Sequence, residues 1–213
     1  MTLLDQLNSN VKIYDLAQEL EAGMPCSPNH PGFNMALVRR HGDKVRVDGG
    51  SGANEIFTMG GHVGTHIDAL CHASSHGVLF GGVNAIEASV GGRFSTMGAE
   101  TIAPFFCRAV LFDVPKLLEV NHLPAGFGIT KEILSKSSQL ELRPGDVALI
   151  RTGWPQLWNN AAAYVGQADG APGITEDAAL WLAERSIRAA GGDTIAFEQI
   201  PAGTGHALSL IHI

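Results

Sequence analysis

The sequence predicts a fold that mixes strands and helices in one domain, either α/β or α+β. Three observations carry this. Residues 108–114 and 147–152 are compact apolar runs bounded by chain breakers and rich in β-branched or aromatic residues, which is how buried strands read. A helix over 175–190 follows them, with Thr175 as N-cap, Glu176 and Asp177 in its first turn and Gly191-Gly192 to stop it. Strands outnumber helices, and the helices lie between strands. Periodicity does not choose between the two classes.

Taken in order, residues 11–16 alternate and predict an opening strand. Residues 22–32 are rich in Pro, Gly, Ser and Asn and predict a loop. Residues 36–40 predict a short strand, 41–54 a polar, turn-rich connection and 55–59 a second strand leading into a histidine-rich segment. A helix is expected over 130–137, capped by Thr130. Arg143-Pro-Gly-Asp146 is a turn into the strand at 147, and residues 193–197 predict a last buried strand. There is no internal repeat, low-complexity tract or composition shift, so residues 1–213 are expected to form a single domain.

Composition narrows the function. With 14 Lys+Arg against 21 Asp+Glu the net charge is −7, which offers no basic face for nucleic acid. Hydrophobic residues make up 45% of the chain, enough for a real core. No apolar run reaches the roughly 18 residues of a membrane span, and no signal peptide is evident. Three separated cysteines, Cys26, Cys71 and Cys107, do not make a disulfide framework and point to the reducing cytoplasm.

The chemistry is concentrated in Gly60-Gly-His-Val-Gly-Thr-His-Ile-Asp-Ala-Leu-Cys-His-Ala-Ser-Ser-His76. Imidazole and carboxylate are the ordinary ligands of divalent transition metals. His66 and Asp68 are two apart, so an extended backbone points both to one face. His62 lies four earlier across Gly64, and the glycines disfavour a helix, so a hinged strand or loop would fold it back toward them. Three ligands from one segment leave coordination positions open, as a catalytic metal needs. His72 is either a further ligand or a base beside the site. His76 reads as an ordinary surface or core residue.

These residues resemble a known family. His62-x-Gly64-Thr65-His66-x-Asp68-x-x-x-His72 matches the signature of the cyclase family, whose members include bacterial kynurenine formamidases and isatin hydrolases. Ile13-Tyr-Asp-Leu16, Ile150-Arg-Thr-Gly-Trp154 and Gly192-Asp-Thr-Ile-Ala196 also resemble family segments, so the likeness spans nearly the whole chain. It implies a mixed α/β architecture, the swivelling β/β/α domain, and a homo-oligomer, dimer or tetramer. It further implies a divalent metal, Zn or Mn, held by His62, His66 and Asp68, with His72 as general base or acid.

Family members supply another ligand histidine after the Gly-x-Asp-Thr strand. His206 and His212 are the candidates; in the family the ligand follows a Gly-His pair by about six residues, so the resemblance favours His212, and His206 is a candidate substrate contact. Phe33, Phe57 and Trp154 are candidates for stacking a planar substrate. Against the family pattern the chain stops at Ile213, before a glutamate and closing strand, so a C-terminally truncated copy is expected. Leu70 stands where kynurenine formamidases carry proline.

The expected reaction is hydrolysis of a small amide, formamide or cyclic amide, with metal-bound water as nucleophile. Two other enzyme readings compete. A mononuclear iron oxygenase would use His66, Asp68 and a distal histidine, but it leaves His62 and His72 idle. A thiol hydrolase would use Cys71, but adjacent strand residues point apart, so His72 would not serve it. A non-catalytic metal-binding relic is the remaining alternative.

Overall fold

The computed structural model describes residues 11–204. After an irregular opening stretch, β1 (Asn34–Arg39) and β2 (Asn54–Thr58) form an antiparallel hairpin, with Met35 opposite Phe57 and Ala36 opposite Ile56. Short pieces follow: β3 (Val78–Leu79), β4 (Val83–Asn84), α1 (Ala85–Ala88), β5 (Ser89–Val90) and β6 (Arg93–Phe94). The larger half comprises β7 (Ala109–Asp113), α2 (Val114–Leu118), β8 (Gly128–Ile129), α3 (Lys131–Lys136), β9 (Val147–Arg151), α4 (Ala161–Val165), β10 (Gly173–Ile174), α5 (Glu176–Ala183) and β11 (Ala189–Gly192). The class is mixed α/β.

Strands β7, β9 and β11 form a parallel sheet in the order β11-β9-β7, with Val110 opposite Ala148 and Phe112 opposite Ile150. Parallel neighbours need crossover connections, and the intervening helices supply them. The alternation within β7 and β9 puts Val110, Phe112, Ala148 and Ile150 into the core with Leu134 of α3 and Ala178, Trp181 and Leu182 of α5. Phe112 and Trp181 meet edge to face, 6.1 Å between centroids.

A carboxylate latch joins the ends of two strands. Asp193, just past β11, accepts hydrogen bonds from Thr152 N (2.8 Å), Thr152 Oγ1 (2.5 Å) and Gly153 N (3.0 Å), just past β9. Beside it Arg151 donates to Asp113 at the end of β7 (2.7 Å). The Arg-Thr-Gly-Trp and Gly-Asp-Thr segments noted in the sequence are therefore partners in space.

Four expectations need correction. Residues 11–16 form no strand: Ile13 and Leu16 are exposed, and no described strand pairs with the segment. Alternation specifies a face, but a strand needs an edge to join. The helix over 175–190 ends at Ala183, where Arg185 Nη1 donates to Trp181 O (2.7 Å) and Ser186 takes a positive φ. The strand expected at 193–197 lies instead at Ala189–Gly192, so the glycine pair runs within β11 rather than stopping a helix. Pairing with β9 outweighs the local preference of glycine for turns. Thr175 stands at the N-cap position of α5, yet its hydroxyl bonds Ile129 O across to β8 rather than capping the helix.

Candidate metal and catalytic site

The segment from Gly60 to His76 is irregular, and its shape comes from a two-residue alternation over a small core. Ala69, Cys71 and Ala73 point inward; Ala69 and Cys71 pack with Leu79 and Ala88. Asp68 and His72, on the even positions, face away from that core. His72 N donates to Ala69 O (2.9 Å) and Cys71 N to Met97 O (3.3 Å), which fixes the backbone between them. Cys71 is 5% exposed, so its thiol serves packing, and the thiol-hydrolase alternative loses its nucleophile.

Gly64 makes the reversal that brings His62 back. Its φ of +71° lies in the left-handed region, and a Cβ there would come within 2.8 Å of Leu20 Cδ2. Thr65 accepts a hydrogen bond from Gln18 N (2.9 Å), tying the opening stretch to the segment. His62 Nδ1 donates to Asp68 Oδ1 at 2.6 Å, while His66 Nε2 lies 3.3 Å from the same oxygen. His66 Nδ1 donates to Gly64 O (2.7 Å), which orients its other nitrogen toward Asp68. The His62 and His72 rings lie face against face, 3.6 Å between centroids and 30° apart.

His62, Asp68 and His72 each offer a donor atom, all within 4.8 Å of one another. Two imidazoles and a carboxylate are a donor set that suits a divalent transition metal. His72 joins this set and His66 stands just outside it, in contact with Asp68. The expected ligand set of His62, His66 and Asp68 thus differs from the grouping in the structure by one histidine.

The electrostatics separate the roles further. Burial pushes the Asp68 carboxyl up, but hydrogen bonds from His66 and His62 and the charges of His72 and His62 more than reverse this, to about 2. The bond to Asp68 raises His66 above its ordinary value, against burial. Burial, followed by repulsion from neighbouring imidazoles, lowers His72 despite Asp68. His72 is thereby kept neutral and able to accept a proton.

Other candidates fall apart from one another. Phe33 and Phe57 stack, 6.3 Å between centroids and 26° apart, with Phe57 exposed. Trp154 is 3% exposed, packs with Tyr164 and Ile200, and donates Nε1–H to Tyr164 O (2.8 Å). Its ring has no open face for a substrate, and this corrects its listing among stacking candidates. His206 and His212 lie outside the described residues. One neighbour escaped the sequence reading: His30, whose ring centroid is 5.3 Å from that of His62. It lies 32 positions before His62, so no local spacing signals it.

The model of the Cyclase family matches residues 14–199. No curated protein matches the chain. Among solved structures, one described as a novel cyclase superposes with a TM-score of 0.82 at 24% identity, covering 93% of this chain and 69% of its own. Isatin hydrolase A from Ralstonia solanacearum gives 0.72 at 24% identity, covering 100% and 80%. Isatin hydrolase A from Labrenzia aggregata, bound to benzyl benzoate, gives 0.64 at 25% identity, covering 93% and 75%. A family match over most of the chain places the signature segment, the donor cluster and the parallel sheet in one frame: this chain belongs to the cyclase family.

Proposed function

We propose that the chain is a metal-dependent hydrolase of a small amide, formamide or cyclic amide, resembling arylformamidases and isatin hydrolases in its reaction. The observation that carries the reading is the convergence of His62, Asp68 and His72 within 4.8 Å on the family's signature segment. A divalent ion, Zn or Mn, held by Asp68 with His62 and His66 around it would supply an acidified water and polarise a carbonyl, with His72 left beside it as the base.

The remaining work belongs to the chain. Asp68, with its low pKa, stays a carboxylate throughout the neutral range and anchors His62 and His66 around it. His72 takes a proton from the attacking water as the C–O bond forms and returns it to the leaving nitrogen as the C–N bond breaks. Water is consumed, and the products are a carboxylate and an amine, or one ring-opened amino acid from a cyclic substrate. Phe33 and Phe57 form a platform for a planar substrate, an arrangement supported by their stack. His212 is the further ligand under this reading and His206 a substrate contact. The same reading makes the protein a cytoplasmic homo-oligomer without nucleic-acid or membrane partners. No helix among the described residues is long and apolar enough to cross a membrane.

The test pairs metal content with turnover. Purified protein is expected to hold at least one Zn or Mn per chain and to hydrolyse isatin or N-formylkynurenine until a chelator is added. His62→Ala and Asp68→Ala should both lose metal. His66→Ala and His72→Ala separate the two ligand sets: the variant that keeps metal yet loses turnover identifies the base, expected at His72 with a fall of about 100-fold or more. Metal held without turnover of any amide would select the relic, and a chain that takes up no metal would overturn the reading.

A further inference from the structure

We infer that Thr65 is a positioning residue of the metal site: its hydroxyl fastens the Gly64 reversal to the opening stretch, and that fastening sets how tightly the chain holds its ion. The inference rests on the proposed metal-dependent reading and deepens it.

Two of the residues proposed to surround the ion, His62 and His66, stand on either side of Val63-Gly64-Thr65. The backbone of that turn therefore decides how far apart they lie. Gly64, at a φ of +71°, has no Cβ to confine it, so its conformation has to be imposed from outside. Three contacts impose it. The Val63 side chain is buried beneath the turn. Leu20 and Met24 close over Gly64, where a Cβ would come within 2.8 Å of Leu20 Cδ2 and 3.2 Å of Met24 Cε. Gln18 N donates to Thr65 Oγ1 (2.9 Å) across 47 positions of sequence. This last contact is the directional one, since a hydrogen bond weakens steeply when its angle opens.

The turn is coupled to the donors through its own carbonyl. Gly64 O accepts from His66 Nδ1 (2.7 Å), and Nε2 of the same ring lies 3.3 Å from Asp68 Oδ1, the oxygen that His62 Nδ1 also reaches. Rotating the Gly64–Thr65 peptide moves that carbonyl, and with it the imidazole beside Asp68. Groups that orient ligands from behind commonly carry about 10–100-fold of metal affinity. The Gln18–Thr65 bond is itself exposed, so water can take the place of the lost partner when it is cut. Metal affinity and fold stability should therefore separate at Thr65.

The test strips the full chain of metal and titrates it with zinc alone, in competition with a chromophoric chelator. Melting in excess chelator is the second readout. Thr65→Val keeps the branched shape and removes the acceptor, and it should weaken zinc binding about tenfold. In chelator it should melt within about 2 °C of the parent. Thr65→Ser restores the acceptor and should recover most of the lost affinity. Unchanged zinc affinity in Thr65→Val, or a loss that Thr65→Ser shares in full, would overturn the proposal. So would a melting temperature in chelator that falls by more than about 5 °C in Thr65→Val, because the bond would then hold the fold rather than the site. A parent protein that binds zinc but hydrolyses no amide would refute the hydrolase reading and leave the positioning role standing. A parent that takes up no zinc removes both.

Discussion

Asp68 and His66 illustrate how one contact shifts two groups in opposite directions. With Nδ1 of His66 committed to Gly64 O, its Nε2 attracts the Asp68 oxygen at 3.3 Å only when that nitrogen also carries a proton. This contact is the main reason the imidazole is raised from 6.5, against burial. Burial also pushes the carboxyl up, but this contact, the His62 hydrogen bond and the charges of His72 and His62 together overcome it and lower the carboxyl from 3.8 to about 2. The carboxyl's contribution to stability is present above 3.8 and is lost as pH falls through about 2. The imidazole's is present below 6.5 and is lost as pH rises through its raised value. Both act together between 3.8 and 6.5. The Asp68 side chain is 36% exposed, so solvent screening limits the pair to about 1 kcal/mol or less. In chelator, Asp68→Asn should therefore lower the melting temperature by about 2–4 °C at pH 5–6. The difference should shrink at pH 8 and again near pH 2. A difference that stays constant across that range would show that the contact is not ionic.

At the scale of elements, what the sequence made legible was local. The histidine segment could be read because its donors lie within eleven positions and a two-residue period aims Asp68 and His72 away from the small core. The strands near 109 and 147 could be read because buried parallel strands are short continuous apolar runs. The rest depended on partners distant in sequence. Residues 11–16 alternate but find no described edge, Gly191-Gly192 pairs with β9, and Trp154 gives no sequence sign of its burial. His30 comes beside His62 across 32 positions of sequence, where Gly60 N donates to Pro31 O. The Asp193 latch belongs to the same class, since forty residues separate it from Gly153. Asp193→Ala would strand three donors, two of them on Thr152, which is buried. At about 1–3 kcal/mol per orphaned group, partly relieved by relaxation, the expected cost is about 3 kcal/mol. Urea unfolding measures it, and a change below about 1 kcal/mol would mean that the latch is dispensable.

The whole molecule presents a hairpin that water alone does not stabilise. A two-stranded antiparallel ribbon ordinarily keeps one apolar face against a core, and an isolated one is marginal. Here β1–β2 exposes apolar side chains on both faces, among polar ones such as Asn34, Glu55 and Thr58. Met35, Leu37 and Phe57 lie on one, Val38 and Ile56 on the other, with Val38 61% and Ile56 53% exposed. Burying such side chains stabilises by roughly 1.5–3 kcal/mol each relative to leaving them in water, and exposed apolar patches of this kind mark interaction surfaces. A second copy of the chain is the partner that the proposed homo-oligomer supplies. Light scattering after size exclusion should then give a mass of at least twice 22.4 kDa. The paired change Val38→Lys with Ile56→Lys, placed on the face away from Phe57, should shift the protein toward monomer while leaving metal content intact. A parent protein that runs as a single 22.4 kDa species at micromolar concentration would refute self-association and leave the hairpin to some other chain.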